Sequence, residues 1–322
     1  MWHMGDVLAG IHATWEFEGD SVLIRFGRGI RTPRLFQVLR ERRVPYEALA
    51  SVAVSPGRRG AVVLRARVRP GADPLMDAAD GQLKEACDPY RLVLPAGRET
   101  LAEYYAQELR SVLDASASDP ECGDWPAPRP AEAHLVASPA APLAFKAYDG
   151  RAAFDGSQVS FRWSWTGAST TKWKAGDQTF RVEELQGVEW RSPEGPDGCL
   201  RLVRRAPAAA GPAAARGAAP GRSCDEAERR AQPDHDPAAV VFGVGYGPVH
   251  ESLPFAAAVL AAVRGGGAAR AQAPAPAVAA GGASEPARSV ADRIRQLGEL
   301  HRAGLVTDEE FTSKKAQLLA EL

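Results

Sequence analysis

Between Val22 and Phe26 the chain alternates. Val22, Ile24 and Phe26 share one side, with Arg25 on the other. The same rhythm returns at Val159, Phe161 and Trp163, with Arg162 opposite. Strict alternation predicts a strand with one face in a core and one in solvent. The lead-in also repeats: Trp15-Glu16-Phe17-Glu18-Gly19-Asp20-Ser21-Val22 echoes Ala152-Ala153-Phe154-Asp155-Gly156-Ser157-Gln158-Val159. Further on, Glu47–Val52 matches Glu183–Val188, and Gly60–Leu64 matches Gly198–Leu202. Asp88-Pro89 before Tyr90–Leu94 matches Asp236-Pro237 before Ala238–Phe242. The first 265 residues are therefore a diverged tandem repeat.

Each copy ends in a helical pattern. In the first, Thr100 and Glu103 have the spacing of a capping box, and Leu101, Tyr105, Leu109 and Val112 line one face. In the second, an Ala-rich helix is predicted from about Ser252 to Val263. Short strands closed by one helix, over about 110 residues, make an α+β unit: antiparallel strands plugged by a C-terminal helix. The predicted boundaries are 8–115 for the first repeat, 116–143 for a Pro- and Ala-rich linker, and 144–264 for the second repeat. An insert at about 206–233, mostly Ala, Pro, Gly and Arg, cannot supply a core and is expected to be a disordered loop. A Gly-, Ala- and Pro-rich stretch, 265–288, is expected to be a flexible linker.

Residues 289–322 then read as two helices in a hairpin. Ile294, Leu297 and Leu300 fall at helical spacing, and Gly304 suits a C-cap. Thr307 and Glu310 form a capping box, and Val306 with Phe311 a hydrophobic staple. Leu318, Leu319 and Leu322 complete the second apolar face. So short a piece buries little surface alone, since chains below about 40 residues usually need a partner. Leu297, Leu300, Leu305, Phe311 and Leu318 are the expected contact residues.

This tail resembles the SHOCT family, the short C-terminal domain of many bacterial proteins. The likeness rests on Leu297, Leu300, Ala303-Gly304-Leu305-Val306-Thr307, Glu309-Glu310-Phe311, Lys314-Lys315 and Leu318-Leu319. It implies an oligomerisation or interaction module without catalytic residues. The order of elements in each repeat resembles the pleckstrin-homology-like superfold. The two copies also resemble a family of unknown function found in tandem in actinobacterial proteins, often with a SHOCT tail. The matching residues are Phe17-Glu18-Gly19, Phe154-Asp155-Gly156, Pro45–Val52, Asp73-Pro74-Leu75, Asp88-Pro89-Tyr90 and Gly187-Val188-Glu189-Trp190. The expected architecture is two tandem PH-like domains plus a helical hairpin on a linker.

Charge alters the picture in one place. The chain carries a net charge of −1, yet residues 25–69 hold twelve arginines against Glu41 and Glu47. Arg65, Arg67 and Arg69 should share the outer face of a strand, and Arg28, Arg31 and Arg34 follow the first long strand. These six are the candidate anion-binding residues, for phospholipid or an acidic protein patch. A solvated strand face is the plainer alternative, and nucleic acid is the weaker target because no RNA-binding aromatic motif accompanies them. The second copy lacks this density.

Other motifs fail on inspection. Gly243-Val244-Gly245-Tyr246-Gly247 is neither GxGxxG nor a P-loop. Asp234-His235-Asp236 has no partner cluster for a metal. Ser252 lacks a GxSxG setting and reads as a helix cap. Trp163 and Trp190 read as core rather than ligand cage. The four cysteines show no CxxC or metal spacing. No signal pattern opens the chain, and the longest apolar run is Phe255–Val263. The expectation is a non-enzymatic cytoplasmic scaffold or adaptor without cofactors, assembling with itself or another protein through its hairpin. A peripheral anionic-lipid module using the Arg-rich first repeat is the alternative.

Overall fold

The computed structural model describes residues 6–116, 129–205 and 232–271. The first repeat opens with β1 (Asp6–Ala9), β2 (Ala13–Phe17), β3 (Ser21–Phe26) and β4 (Glu41–Pro45), an antiparallel sheet in chain order. A short helix, α1 (Arg34–Leu39), joins β3 to β4. A second sheet follows, of β5 (Leu49–Pro56), β6 (Val62–Val68) and β7 (Arg91–Leu94). Helix α2 (Pro74–Ala79) lies between β6 and β7, and α3 (Glu99–Ser116) closes the unit.

The second repeat has the same plan. Its first sheet is β8 (Leu143–Lys146), β9 (Gly150–Phe154), β10 (Gln158–Trp163) and β11 (Gln178–Arg181), with α4 (Thr170–Ala175) before β11. Its second sheet is β12 (Leu185–Arg191), β13 (Cys199–Arg204) and β14 (Ala239–Val241), closed by α5 (Val249–Ala271). The repeat extends to irregularities: β5 has a register shift between Leu49 and Ser51, and β12 one between Leu185 and Gly187. A shared bulge at matching positions is a feature of the unit, not an accident of one copy.

The alternation read in the sequence is the observed inside-out pattern. Trp15, Phe17, Val22 and Ile24 are buried in one core with Leu64, Leu92 and Leu109. Phe154, Val159, Phe161, Trp163 and Trp190 fill the other. Phe17 stacks on Tyr105 of α3 with ring centroids 4.8 Å apart, which seats the helix on the strands.

The boundary between the repeats is where expectation and structure part. The second core contains Leu35, Leu75, Ala78 and Ala79, all from the first repeat. Helix α5 is the reason. Residues 252–259 are buried without interruption, so no side of this stretch faces water. A helix apolar all round belongs between layers. Here the layers are its own strands, β8 and β12, and the first repeat's α1 and α2. Alanines at 256–258 and at 78–79 allow close approach of α5 and α2. Polar contacts fix the junction. Gln82 Nε2 donates to the Trp190 carbonyl at 3.0 Å, and Ser192 N–H donates to Gln82 Oε1 at 3.0 Å. Trp190 Nε1 donates to Ser252 Oγ at 3.0 Å.

Several local expectations need correction. Helix α3 begins at Glu99, so Thr100 lies in its first turn rather than at its cap. Helix α5 begins at Val249, so Ser252 is inside it, its hydroxyl donating to the Pro248 carbonyl at 3.0 Å. The same helix continues to Ala271, making the first residues of the expected flexible linker helical. The described part of the 116–143 linker is docked: Val136 is buried in the first core, and Ala131 N–H donates to the Pro70 carbonyl at 2.8 Å. Residues 206–231 of the expected insert, the remainder of the second linker and the 289–322 hairpin lie outside the described residues.

Candidate functional site

The polar chemistry of the body concentrates in buried or half-buried clusters. The first joins two stretches noted in the sequence. Asp73 caps α2, its Oδ1 accepting from Leu75 N–H at 2.9 Å. The same oxygen accepts from Arg42 Nη2 at 2.6 Å, and Oδ2 accepts from the Tyr90 hydroxyl at 2.6 Å. Burial alone pushes the Arg42 guanidinium down, but Asp73 and Tyr90 outweigh it and leave Arg42 above its ordinary value. Burial, reinforced by Asp73, pushes the Tyr90 phenol up. The cluster ties β4, α2 and the start of β7 together, and nothing in it is exposed.

The second cluster is Lys172 of α4, whose Nζ donates to Asp149 Oδ2 at 2.5 Å. Lys172 Nζ also stands 5.0 Å from the centre of the Trp163 ring. Asp149 Oδ1 accepts from Val241 N–H at 3.0 Å. Burial pushes the Asp149 carboxyl up, against the pull of Lys172. This pair locks the β8–β9 turn to α4 and β14.

A third arrangement occurs twice. Arg65 Nε and Nη2 both donate to Asp88 Oδ2, at 2.9 and 2.8 Å, while Asp88 Oδ1 accepts from Tyr90 N–H. In the second repeat Arg201 Nε donates to Asp236 Oδ2 at 3.0 Å, while Asp236 Oδ1 accepts from Ala238 N–H. The Asp-Pro motif of each copy is thus a brace between the middle strand and the last strand of the smaller sheet.

These braces decide the standing of the Arg-rich segment. Arg65 is engaged by Asp88. Arg69 holds backbone: Nε donates to the Arg129 carbonyl at 2.9 Å and Nη1 to the Glu47 carbonyl at 3.0 Å, clamping the inter-repeat linker. Arg67 is exposed on β6, and Arg28, Arg31 and Arg34 are exposed before and at the start of α1. Arg65 and Arg67 lie on β6 and Arg69 just after it, whereas Arg28, Arg31 and Arg34 lie in the connection from β3 to α1 and at its first residue. Arg42, counted in the sequence only as one of twelve, is the buried member of a hub. Its separation of 31 residues from Asp73 leaves no local signal.

The remaining candidates have structural places. Gly243–Gly247 is a turn, with Tyr246 N–H donating to the Gly243 carbonyl at 2.9 Å. Asp236 is a brace and His235 Nδ1 lies 3.5 Å from the Thr171 hydroxyl. Trp163 and Trp190 are core, whereas Trp165 is exposed. Burial raises the Cys199 thiol to about 11, which keeps it protonated and unreactive at neutral pH. Among the described residues, no group of three His, Cys, Asp or Glu side chains could hold a metal, and no helix is long and apolar enough to cross a membrane. A groove of 810 Å³ between β5 and α3 is lined by Val54, Pro56, Glu99, Glu103, Tyr104 and Gln107, but Glu103 is paired with Arg110.

Fold and clusters together define a duplicated strand-and-helix unit, each copy braced by its own Arg–Asp pair. The chain belongs to the family described as Domain of unknown function (DUF4429), which matches residues 15–110 and 152–260, one segment in each repeat. The Short C-terminal domain, SHOCT, matches residues 292–319. The contact residues expected in the tail, Leu297, Leu300, Leu305, Phe311 and Leu318, fall in that matched segment, outside the described residues. No curated protein matches the chain.

Proposed function

We propose that this protein is a non-enzymatic cytoplasmic scaffold or adaptor, in which a double-repeat body carries a SHOCT module that mediates self-association or docks a partner. The observation that carries the reading is the SHOCT match at residues 292–319, on a chain whose main buried ionic groups, Arg42, Asp73, Lys172 and Asp149, brace its own elements. Catalytic sites need titratable groups converging on an accessible cavity. The strongest ionic clusters here, Arg42–Asp73–Tyr90 and Lys172–Asp149, are enclosed and paired within themselves, with Arg42 Nε left without a partner. Four strands, then three, then one helix is also the order of the pleckstrin-homology-like superfold, which hosts many binding modules. The alternative, a lipid module using the Arg-rich first repeat, rests on Arg28, Arg31, Arg34 and Arg67, since Arg65 and Arg69 are engaged internally.

The test is solution mass by light scattering across a wide range of concentration. The full chain should associate, or bind its partner, through the tail. Phe311→Asp should weaken that association, because it places a charge on the expected apolar face. Identical masses for parent and variant at every concentration, with no partner lost on pull-down, would remove the reading.

A further inference from the structure

Three cations stand in one row on the outer face of the second repeat's four-stranded sheet. Lys146 on β8 is the register partner of Arg151 on β9, and Arg151 is the partner of Arg162 on β10. Side chains paired this way lie about 5 Å apart on one face. All three are exposed, and three acids of this repeat are held by other cations: Asp149 by Lys172, Glu189 by Arg191 and Arg201, Asp236 by Arg201. Like charges directly opposite each other destabilise a sheet. In the unbound protein the row therefore has a cost that an anion would remove.

The first repeat shows the arrangement is not required by the fold. The same register positions there hold Ala9, Thr14 and Arg25, and Arg25 is paired with Glu16 and Glu41. The neighbouring row also differs. In the second repeat it is Ala144, Ala153, Ser160 and Thr179, a flat floor without acids. In the first it is Val7, Glu16, Leu23 and Arg43. A cavity of 630 Å³ opens beside the cationic row, lined by Lys146, Arg151, Arg162, Ser164 and Glu251. Glu251 is its one acid, and its ion-pair contact is His250 at 3.7 Å. Burial pushes His250 below its ordinary value, against the pull of Glu251.

The row lies at the loop end of its strands, and that end carries exposed aromatic side chains. Tyr148 follows Lys146 by two residues, and its ring meets Tyr246 edge-on at 6.1 Å. Lys146 Nζ stands 5.2 Å from the centre of the Tyr246 ring. Trp165 follows Arg162 by three residues, is 80% exposed and meets exposed Trp173 at 5.2 Å. Val244, on the adjoining turn, is fully exposed. Trp and Tyr favour the water–hydrocarbon boundary of a bilayer. Tyr148 and Trp165 lie in the turns just past the ends of β8 and β10, so the aromatic side chains follow the cations along the chain at this end of the sheet. Protruding apolar tips with cations set one step behind fit a layered partner with phosphates above an apolar zone.

We infer that the loop end of the second repeat, through Lys146, Arg151 and Arg162 with Trp165 and Tyr148, is a docking surface for an anionic membrane. The phosphates of acidic lipids meet the cationic row and the aromatic tips seat at the interface. The surface shares no residue with the SHOCT segment, so it stands or falls independently of assembly.

The experiment is flotation of the full chain with vesicles of phosphatidylcholine alone, or of equal parts phosphatidylcholine and phosphatidylserine. Binding is expected only with phosphatidylserine, and should weaken with salt. The double variant Arg151→Gln/Arg162→Gln should bind about thirty-fold more weakly, from two lost surface charges. It should melt no lower than the parent, since it relieves like-charge opposition, so lost binding will not reflect lost folding. Trp165→Ala should weaken binding without altering its salt dependence. Arg28→Gln/Arg31→Gln, in the first repeat, should bind as the parent does. No recruitment of the parent at low salt overturns the inference. So does undiminished binding by the Arg151/Arg162 variant. Binding of a short duplex DNA, with none to vesicles, overturns it as well.

Discussion

Helices α3 and α5 occupy the same place in two copies of one unit, yet they are different kinds of helix. Helix α3 turns Ala102, Tyr105, Ala106 and Leu109 inward and leaves Glu103, Tyr104 and Gln107 in solvent. Helix α5 is buried on all sides from Ser252 to Val259. The first closes one core. The second closes its own and also receives α1 and α2 of the neighbouring repeat. A duplicated domain can thus become one body without a new element, by changing the outer face of a helix it already has.

The comparison breaks most sharply at the helices themselves. Ala257→Asp places a carboxylate where no water reaches and should destabilise the protein by about 5 kcal/mol. Gln107→Asp, on the exposed face of α3, should stay within about 0.5 kcal/mol. Denaturant titration of both tests the contrast, and equal effects would show that α5 is not enclosed. The parent should unfold in one transition; two separated transitions would mean that the repeats fold apart. Next in size is the first repeat's buried hub. Asp73→Ala strands Arg42 without its carboxylate and should cost about 3–4 kcal/mol in the same titration. Gln82→Ala removes two hydrogen bonds across the junction and should cost about 1.5 kcal/mol. Smallest are the duplicated braces. Arg65→Ala and Arg201→Ala should each cost under about 1 kcal/mol, with Arg65 the weaker because it is more exposed.

The junction should also respond to acid. Burial pushes the Asp77 carboxyl up, but hydrogen bonds from His134 and Gly71 and the charge of Arg264 prevail, leaving it below the usual carboxylate value. A carboxyl lowered by folding contributes stability above its unfolded value, and loses it as pH falls through the folded value. Melting temperature followed below pH 4 should therefore fall less steeply in Asp77→Asn than in the parent.

The strands and their duplication were legible because alternation is local. Val22, Ile24 and Phe26 declare a face within five residues, and Val159, Phe161 and Trp163 declare the same one. Helix ends were less legible. Thr100 and Ser252 have capping chemistry, but the helices start before them. The fusion of the repeats was hidden because an Ala-rich helix looks alike whether it closes one core or two. The pairing of Arg42 with Asp73, and the row of Lys146, Arg151 and Arg162, depend on register between strands. Residues 11 apart, such as Arg151 and Arg162, become neighbours only when the turn length is known. A signal did exist: the match of Arg25 with Arg162, followed through the echo, sets Thr14 against Arg151.

The shared helix also sets a schedule for biosynthesis. The chain emerges from its N-terminus, so α2 is complete about 170 residues before α5 begins, an interval of roughly 10–30 s at ordinary rates of translation. Through that interval Leu35, Leu75, Ala78 and Ala79 have no cover, although the rest of the first repeat can already fold. The nascent protein therefore carries an open apolar patch from early in its synthesis, and it is closed only by one of the last elements of the body to be made.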